Sequence, residues 1–275
     1  VKHSKSLLDR SAYYLSLFLL LGSFFSLFVE LKQDINLGIT EPSWLHLLGT
    51  DSLGRDLLLR VFKGSLLSLG VGITTALMAL ALGVIIGWSV FYFPVFKFTY
   101  SLITRMLLMM PSVFWGMITV LFYKSILGDS EISHILSLVL ALSTVSWVSI
   151  SRTTLNMCQL ESQKDYILAA RALGANEKRV FINHIFPNIF PILLSLWLFQ
   201  IPHQIVGESV LSFLGFGVNP PLISWGGLML EGWKSLSVYP HLILGPALFL
   251  FTSSWCIMRI AQYFADSRKT NKYTL

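Results

Sequence analysis

Four polar residues recur at every fourth position of an otherwise apolar run: Gln200, Gln204, Glu208 and Ser212. On a helix that spacing keeps them on one face. His203 lies beside them. An ionisable side chain at the centre of a membrane helix costs about 2.5–3.5 kcal/mol on insertion scales, so it tends to face a water-filled cavity or a polar partner. Two readings follow. The stripe lines a passage, or it hydrogen-bonds neighbouring helices without touching a solute, with Glu208 near an interface where its cost is small.

Gly49-Thr50-Asp51-Ser52-Leu53-Gly54-Arg55-Asp56 places two carboxylates close together and invites a metal or phosphate reading. A plainer reading has Asp51 or Ser52 capping an amphipathic helix at the membrane interface, with Arg55, Arg60 and Lys63 at headgroup level. The segment is therefore assigned structure and contact with a soluble partner, not catalysis. His46, His134, His203 and His241 are scattered, and no pair has metal-ligand spacing. Cys158 and Cys256 are far apart and read as free thiols near the cytosolic side. There is no nucleophile–base–orienter set. There is also no Gly-x-x-x-x-Gly-Lys-Ser/Thr to cradle a nucleotide. The chain is expected to hold no catalytic residue, metal or cofactor of its own.

The elements that must position these residues are membrane helices. Hydrophobic residues make up 54% of the chain, charged residues only 12%, and mean hydropathy is +0.69. Soluble domains carry about 25% charged residues, so too little polar surface is available to cover a globule in water. At about 20 residues per span, the 275 residues hold about six helices plus loops. Apolar segments stand out at roughly 13–29, 66–92, 103–127, 134–150, 190–213 and 239–262. They are continuous, whereas barrel strands alternate. The net charge of +6 does not point to nucleic acid, because the basic residues cluster between apolar runs, as membrane topology requires.

Lys2, Lys5 and Arg10 before the first run resemble the start of a signal peptide, but the run is long and Val29-Glu30-Leu31-Lys32 lacks a small-x-small site. It is expected to stay as the first transmembrane helix. With the N-terminus inside, the cytoplasmic loops gather Lys97, Arg105, Arg152, Lys164, Arg171, Lys178, Arg179 and Arg259, together with Arg268, Lys269 and Lys272. The outer side keeps Lys32, Arg55, Arg60, Lys63, Lys124 and Lys234. This bias places both termini in the cytoplasm. The expected organisation is a tail and first helix (1–30), an outer segment with an amphipathic helix (31–65), a core (66–265) and a cytoplasmic tail (266–275). Gly83 and Gly87 form a Gly-x-x-x-Gly that suits close helix packing, within the chain or against a sister subunit; the commonness of the pattern favours the former. Asn219-Pro220-Pro221 to Trp225 reads as an extended turn entering a short helix at the outer mouth.

The long polar stretch 151–188 is then cytoplasmic. Gln163, Tyr166, Ile167, Ala170 and Leu173 repeat as one face of a short helix. Gly174 suits a helix C-terminus, and Asn176 with Glu177 suits the start of a second helix, which Pro187 should end. Ala169, Ala170 and Ala172 keep the first helix thin. It can fit a groove on a partner protein or lie on the membrane surface.

Tyr166-Ile-Leu-Ala-Ala-Arg-Ala-Leu-Gly-Ala175 with Ile185-Phe-Pro-Asn188 resembles the EAA loop of bacterial ATP-binding-cassette import permeases. Leu48-Gly-Thr-Asp-Ser-Leu-Gly-Arg-Asp-Leu57 and Glu208-Ser-Val-Leu-Ser-Phe-Leu-Gly-Phe-Gly-Val-Asn-Pro-Pro221 resemble the dipeptide/oligopeptide/nickel branch, and specifically its second permease. The likeness extends from about residue 45 to 260. It departs at Leu168, where the motif has its glutamate, at Phe186, and at the C-terminal end, Ala261-Gln-Tyr-Phe-Ala-Asp266.

The resemblance implies an all-α permease fold of the type I importer class, with one peripheral helix and a five-helix core. It implies ATP-coupled import of a solute, with peptide favoured over nickel or another small solute, and makes a self-sufficient secondary transporter the lesser alternative. It also implies a second permease, two ATPase domains that bind ATP and magnesium, and an extracytoplasmic binding protein in a bacterial inner membrane. Tyr166, Ala169, Ala170, Arg171, Gly174, Ala175 and Pro187 then mark the ATPase-coupling loop.

Overall fold

The computed structural model describes the backbone of residues 2–272 and the side chains of residues 11–266. The side chains of Lys2, Lys5, Arg10, Arg268, Lys269 and Lys272, part of the charge bias above, lie outside the described residues. The described chain is helical: α1 (Lys2–Ser26), α2 (Leu57–Tyr92), α3 (Lys97–Met109), α4 (Ser112–Leu127), α5 (Glu131–Glu161), α6 (Asp165–Ala172), α7 (Glu177–Val180), α8 (Phe186–Phe213), α9 (Trp225–Trp233) and α10 (His241–Lys272). A single 3-10 turn, Pro94–Phe96, precedes α3, and a π-helical stretch, Phe181–Ile185, joins α7 to α8.

Each apolar segment of the sequence becomes helix. Four are long and apolar enough to cross a bilayer: α2, α5, the rod Glu177–Phe213 and α10. The α3–α4 pair makes a fifth if counted as one span, and Ser11–Ser26 of α1 is a shorter apolar helix. At 1.5 Å per residue the 36 residues of α2 extend about 54 Å, well beyond the roughly 30 Å hydrocarbon layer.

Three expectations need correcting. The segment 103–127 is not one straight helix but turns by 100° between α3 and α4. Pro111 disfavours helical backbone at the residue before it, and Met110 is extended (φ −97°, ψ 143°). The separate amphipathic helix expected within 31–65 does not form. Residues 30–56 are turns and irregular chain, and helix starts only at Leu57 as the beginning of α2. Asp56, not Asp51 or Ser52, is its N-cap, accepting from the Leu59 N–H at 2.9 Å. Finally, Pro187 does not end the helix that begins at Glu177. The chain widens into the π-helical stretch, where the Phe186 N–H reaches back five residues to the Phe181 carbonyl. Pro187 then falls in the first turn of α8, where a missing N–H is harmless.

α2 is the central rod, packed most extensively against α5 and then α8, while α1 rests on α10 and α2. Gly83 and Gly87 explain the α2–α5 contact. A Cβ on Gly83 would fall 2.7 Å from Ile150 side-chain atoms, and one on Gly87 would fall 2.6 Å from the Ser151 carbonyl oxygen. The Gly-x-x-x-Gly therefore serves packing within the chain. Gly87→Val should cost about 1–3 kcal/mol by overpacking against backbone that cannot yield, read as a lowered melting temperature in detergent. Gly70→Ala, on the same helix with nothing within 4 Å of the new Cβ, should be neutral or stabilising. Equal melting of the two variants would remove the glycine contact from the account of the fold.

Candidate functional site

The end of the bundle where α2 terminates also holds the C-terminus of α5 and the start of the α7–α8 rod, since Trp88 stacks on Phe181 with ring centroids 5.0 Å apart. α6 is folded onto this end. Ile167 is its single buried residue, packed with Cys158, Val180, Phe181 and Ile185. Both cysteines are free and buried.

Polar links fix α6 in place. The Tyr166 hydroxyl donates to the Glu161 carboxylate at the end of α5 and accepts from Asn188 Nδ2 at 3.0 Å. Lys164 Nζ donates to Glu161 at 2.9 Å. One carboxylate thus ties α5, α6 and, through Tyr166, the foot of α8. Burial, with the Glu161 hydrogen bond and charge added, pushes the Tyr166 phenol up to about 12, so it remains a donor at physiological pH. Arg171 closes the turn by donating from Nη2 to Glu177 at 2.9 Å. Gly174 has φ +86°, the left-handed conformation that glycine takes without strain. Asn176 caps α7, accepting from the Arg179 N–H at 2.8 Å.

The helix–glycine turn–helix reading is thus present, but the face is different. Of the face expected from Gln163, Tyr166, Ile167, Ala170 and Leu173, Ile167 is buried and Ala170 half-buried, turned toward the rest of the chain. The uncovered face carries Leu168, Ala169, Ala172 and Leu173, with Leu168 50% and Leu173 89% exposed. Ala175 is half-buried against the core below α6, and Pro187 is exposed. The apolar periodicity of the sequence marked the inward side only at Ile167 and Ala170, since Gln163, Tyr166 and Leu173 of the same row are exposed. The signal for the outward side was the second row of apolar residues, which the same spacing contains.

The polar stripe of α8 divides in two. Gln200 Nε2 donates to the Ser146 carbonyl at 3.0 Å, and Gln204 Nε2 donates to Ser146 Oγ at 2.9 Å. Both glutamines and His203 border a cavity of about 510 Å³ between α3, α4, α5 and α8, with Met110, Pro111 and Ser146 in its wall. Glu208 and Ser212 are instead enclosed. Glu208 accepts from Ser68 at 2.8 Å, Ser209 at 3.2 Å and Ser212 at 2.6 Å. Ser68 Oγ in turn accepts the Trp225 N–H at 3.2 Å, so the carboxylate holds α2, α8 and the start of α9 together. Ser146, Met110 and Pro111 were missed in the sequence. Pro111 within an apolar segment was the available signal for the bend that opens the cavity.

At this Glu208 end of the bundle, Asp51 accepts from the backbone N–H groups of Leu53 and Arg55 at 2.8 and 3.0 Å. It also receives Arg55 Nε at 2.7 Å and Arg60 Nη1 at 2.6 Å. Arg60 binds Glu231 of α9 through both terminal nitrogens, at 2.6 and 3.0 Å. Of the two carboxylates noticed in the sequence, Asp51 is therefore part of a tie between the chain before α2 and α9, while Asp56 caps α2 and pairs with His46 at 2.8 Å. Among the described residues, no group of three His, Cys, Asp or Glu is placed to hold a metal.

Residues 79–270 match the family described as binding-protein-dependent transport system inner membrane component. The oligopeptide transport system permease protein OppC of Escherichia coli K12 is 32% identical over 92% of this chain and 82% of that protein. OppC of Salmonella typhimurium is 31% identical over 93% and 83%. Among solved structures, the MetNI methionine ABC transporter in an inward-facing form superposes with a TM-score of 0.56, at 16% identity, over 74% of this chain and 95% of that one; at that identity the likeness concerns the fold. The all-helical architecture, the multi-pass apolar spans and the match over most of the core agree, and the chain belongs to the inner-membrane components of binding-protein-dependent transport systems.

Proposed function

We propose that this chain is one of two permeases of an ATP-driven oligopeptide importer, providing half of the passage and one coupling surface. The observation that carries this is α6, a short helix held rigidly by Glu161, Tyr166 and the Arg171–Glu177 pair while its outer face is left uncovered. Ala169, Ala170, Arg171, Gly174, Ala175 and Pro187 belong to this device. A helix fixed at three feet transmits a push instead of absorbing it. ATP and magnesium are handled by two partner ATPase domains, and an extracytoplasmic binding protein delivers cargo to the opposite end. The α6 end, with its Lys and Arg excess, faces the cytoplasm, as do both termini.

Oligopeptide is the cargo named for the similar OppC proteins. The cavity suits it. The donors of Gln200 and Gln204 are engaged with Ser146, so their carbonyls are the groups available to accept from peptide N–H groups. Among the lining residues His203 is the one ionisable side chain, and a near-neutral wall tolerates cargo of varied charge.

The test is purification of the tagged chain from native membranes, followed by uptake of a labelled tripeptide in proteoliposomes. Recovery of a second permease and an ATPase, with uptake that requires ATP, is expected. A chain recovered alone that moves peptide without ATP would refute the importer reading.

A further inference from the structure

We infer that His203 is the residue of the passage that reads the C-terminal carboxylate of peptide cargo. The inference rests on the importer reading above and deepens it, since it names the group on the cargo that the cavity recognises. His203 lies within the apolar rod that can span the bilayer. An ionisable side chain there is costly unless a polar partner or a water-filled space receives it. His203 is nevertheless exposed, borders the cavity of about 510 Å³ and has no hydrogen-bond or ion-pair partner among the described residues. Its neighbours on the same helix differ, because Ser146 holds both Gln200 and Gln204. The imidazole is left for a ligand that comes and goes.

The rest of the wall sets the sign of that ligand. None of the described residues that line the cavity is acidic. An imidazole donates an N–H in either protonation state. α4, whose first turn has no side-chain cap, starts in the same wall at Ser112, so the positive end of its dipole acts in the same sense. Both favour an anion. Leu107, Leu108 and Met110 make part of the wall apolar, and a low local dielectric strengthens a hydrogen bond to a charged group. Peptides differ in the charge of their side chains but share one anionic group, the carboxylate at their C-terminus. A single imidazole can therefore serve cargo of any sequence.

The test compares uptake of trialanine and of trialanine amide by proteoliposomes that hold the whole complex, at saturating binding protein. The binding protein's own preference is the same for every variant, so it cancels when variant and wild type are compared. His203→Leu should slow the free acid about tenfold, the order of one hydrogen bond to a charged group, and leave the amide rate unchanged. His203→Asn, which keeps a donor, should restore part of the free-acid rate. His203→Glu should slow the free acid further than His203→Leu does, but not the amide. Wild-type rates for both peptides in His203→Leu would overturn the inference. So would a fall of both rates by the same factor, which would make His203 a contact with the sister permease and not with cargo. If the wild-type complex takes up neither peptide with ATP, it is the importer reading that fails.

Discussion

Replacing Arg60 by alanine should destabilise the protein by about 3 kcal/mol, the lower end of the range for removing one partner of a buried ion pair. Arg60 is 4% exposed and joins Asp51 to Glu231, residues on segments far apart in sequence. Asp51 would keep Arg55, which also lies 4.0 Å from Glu231 and holds the cost to the lower end, but α9 would lose the two close hydrogen bonds that join Glu231 to Arg60. Arg60→Lys should recover only part of the loss, since an ammonium cannot bridge Asp51 and grip both Glu231 oxygens with a planar fork. Acid should act on the same tie. Burial pushes the Asp51 carboxyl up, yet the Arg55 N–H, the Arg60 charge, the Arg55 side chain and the Leu53 N–H together hold it below its ordinary value. A carboxylate with a lowered folded value contributes its full stability above the unfolded pKa of about 3.9 and loses it as pH falls further, through the folded value. The wild type should therefore keep this contribution between pH 5 and 8, and Asp51→Asn should melt lower across that whole window. Melting curves for Asp51→Asn and wild type that coincide at pH 7 would show that the tie carries no stability.

What the sequence made legible was whatever depends on local pattern. Continuous apolar runs gave the helices, because lipid leaves few other ways to satisfy a backbone. Gly174 and Asn176 gave the turn and cap of the loop, because each meets a requirement set within a few residues. The match of the loop and of the two outer motifs to import permeases pointed to the family, which the match over residues 79–270 establishes. What stayed hidden depended on partners distant in the chain. Asp51 has the residue type of a cap, and only Arg60 and Glu231 brought close in space make it a tie. Pro187 has the residue type of a helix stop, but a π-helical widening at Phe181–Ile185 lets the rod continue. The two faces of α6 are both apolar enough to be buried, and which one turns inward is decided by Cys158, Val180 and Phe181 beneath Ile167.

The α8 stripe shows the same division, and it leads to the second large effect. Glu208→Ala should act on folding, and Gln204→Leu on transport. Glu208 is fully buried and collects three hydroxyl donors, and through Ser68 it steadies the first N–H of α9. Its removal leaves a void and loses three bonds worth on average about 0.6 kcal/mol each within a membrane. With the cavity term added, the total is about 2–4 kcal/mol. The expected result is a several-fold fall in monodisperse protein from size-exclusion chromatography, with whatever folds still moving peptide. Gln204 has a different position: its Nε2 holds Ser146 at the cavity wall, and its loss removes a polar group from the space that cargo would cross. Gln204→Leu should assemble normally with the second permease and ATPase yet take up peptide at least several-fold more slowly. The two variants separate the readings because yield and transport are measured on the same preparations. A Glu208→Ala protein that assembles in full but fails to transport would place the carboxylate in the passage. Gln204→Leu with unchanged uptake would remove the cavity from the route. The opposite outcomes would establish that one helical face does two things: its Gln200–Gln204 half forms wall, and its Glu208–Ser212 half holds that wall to α2 and α9.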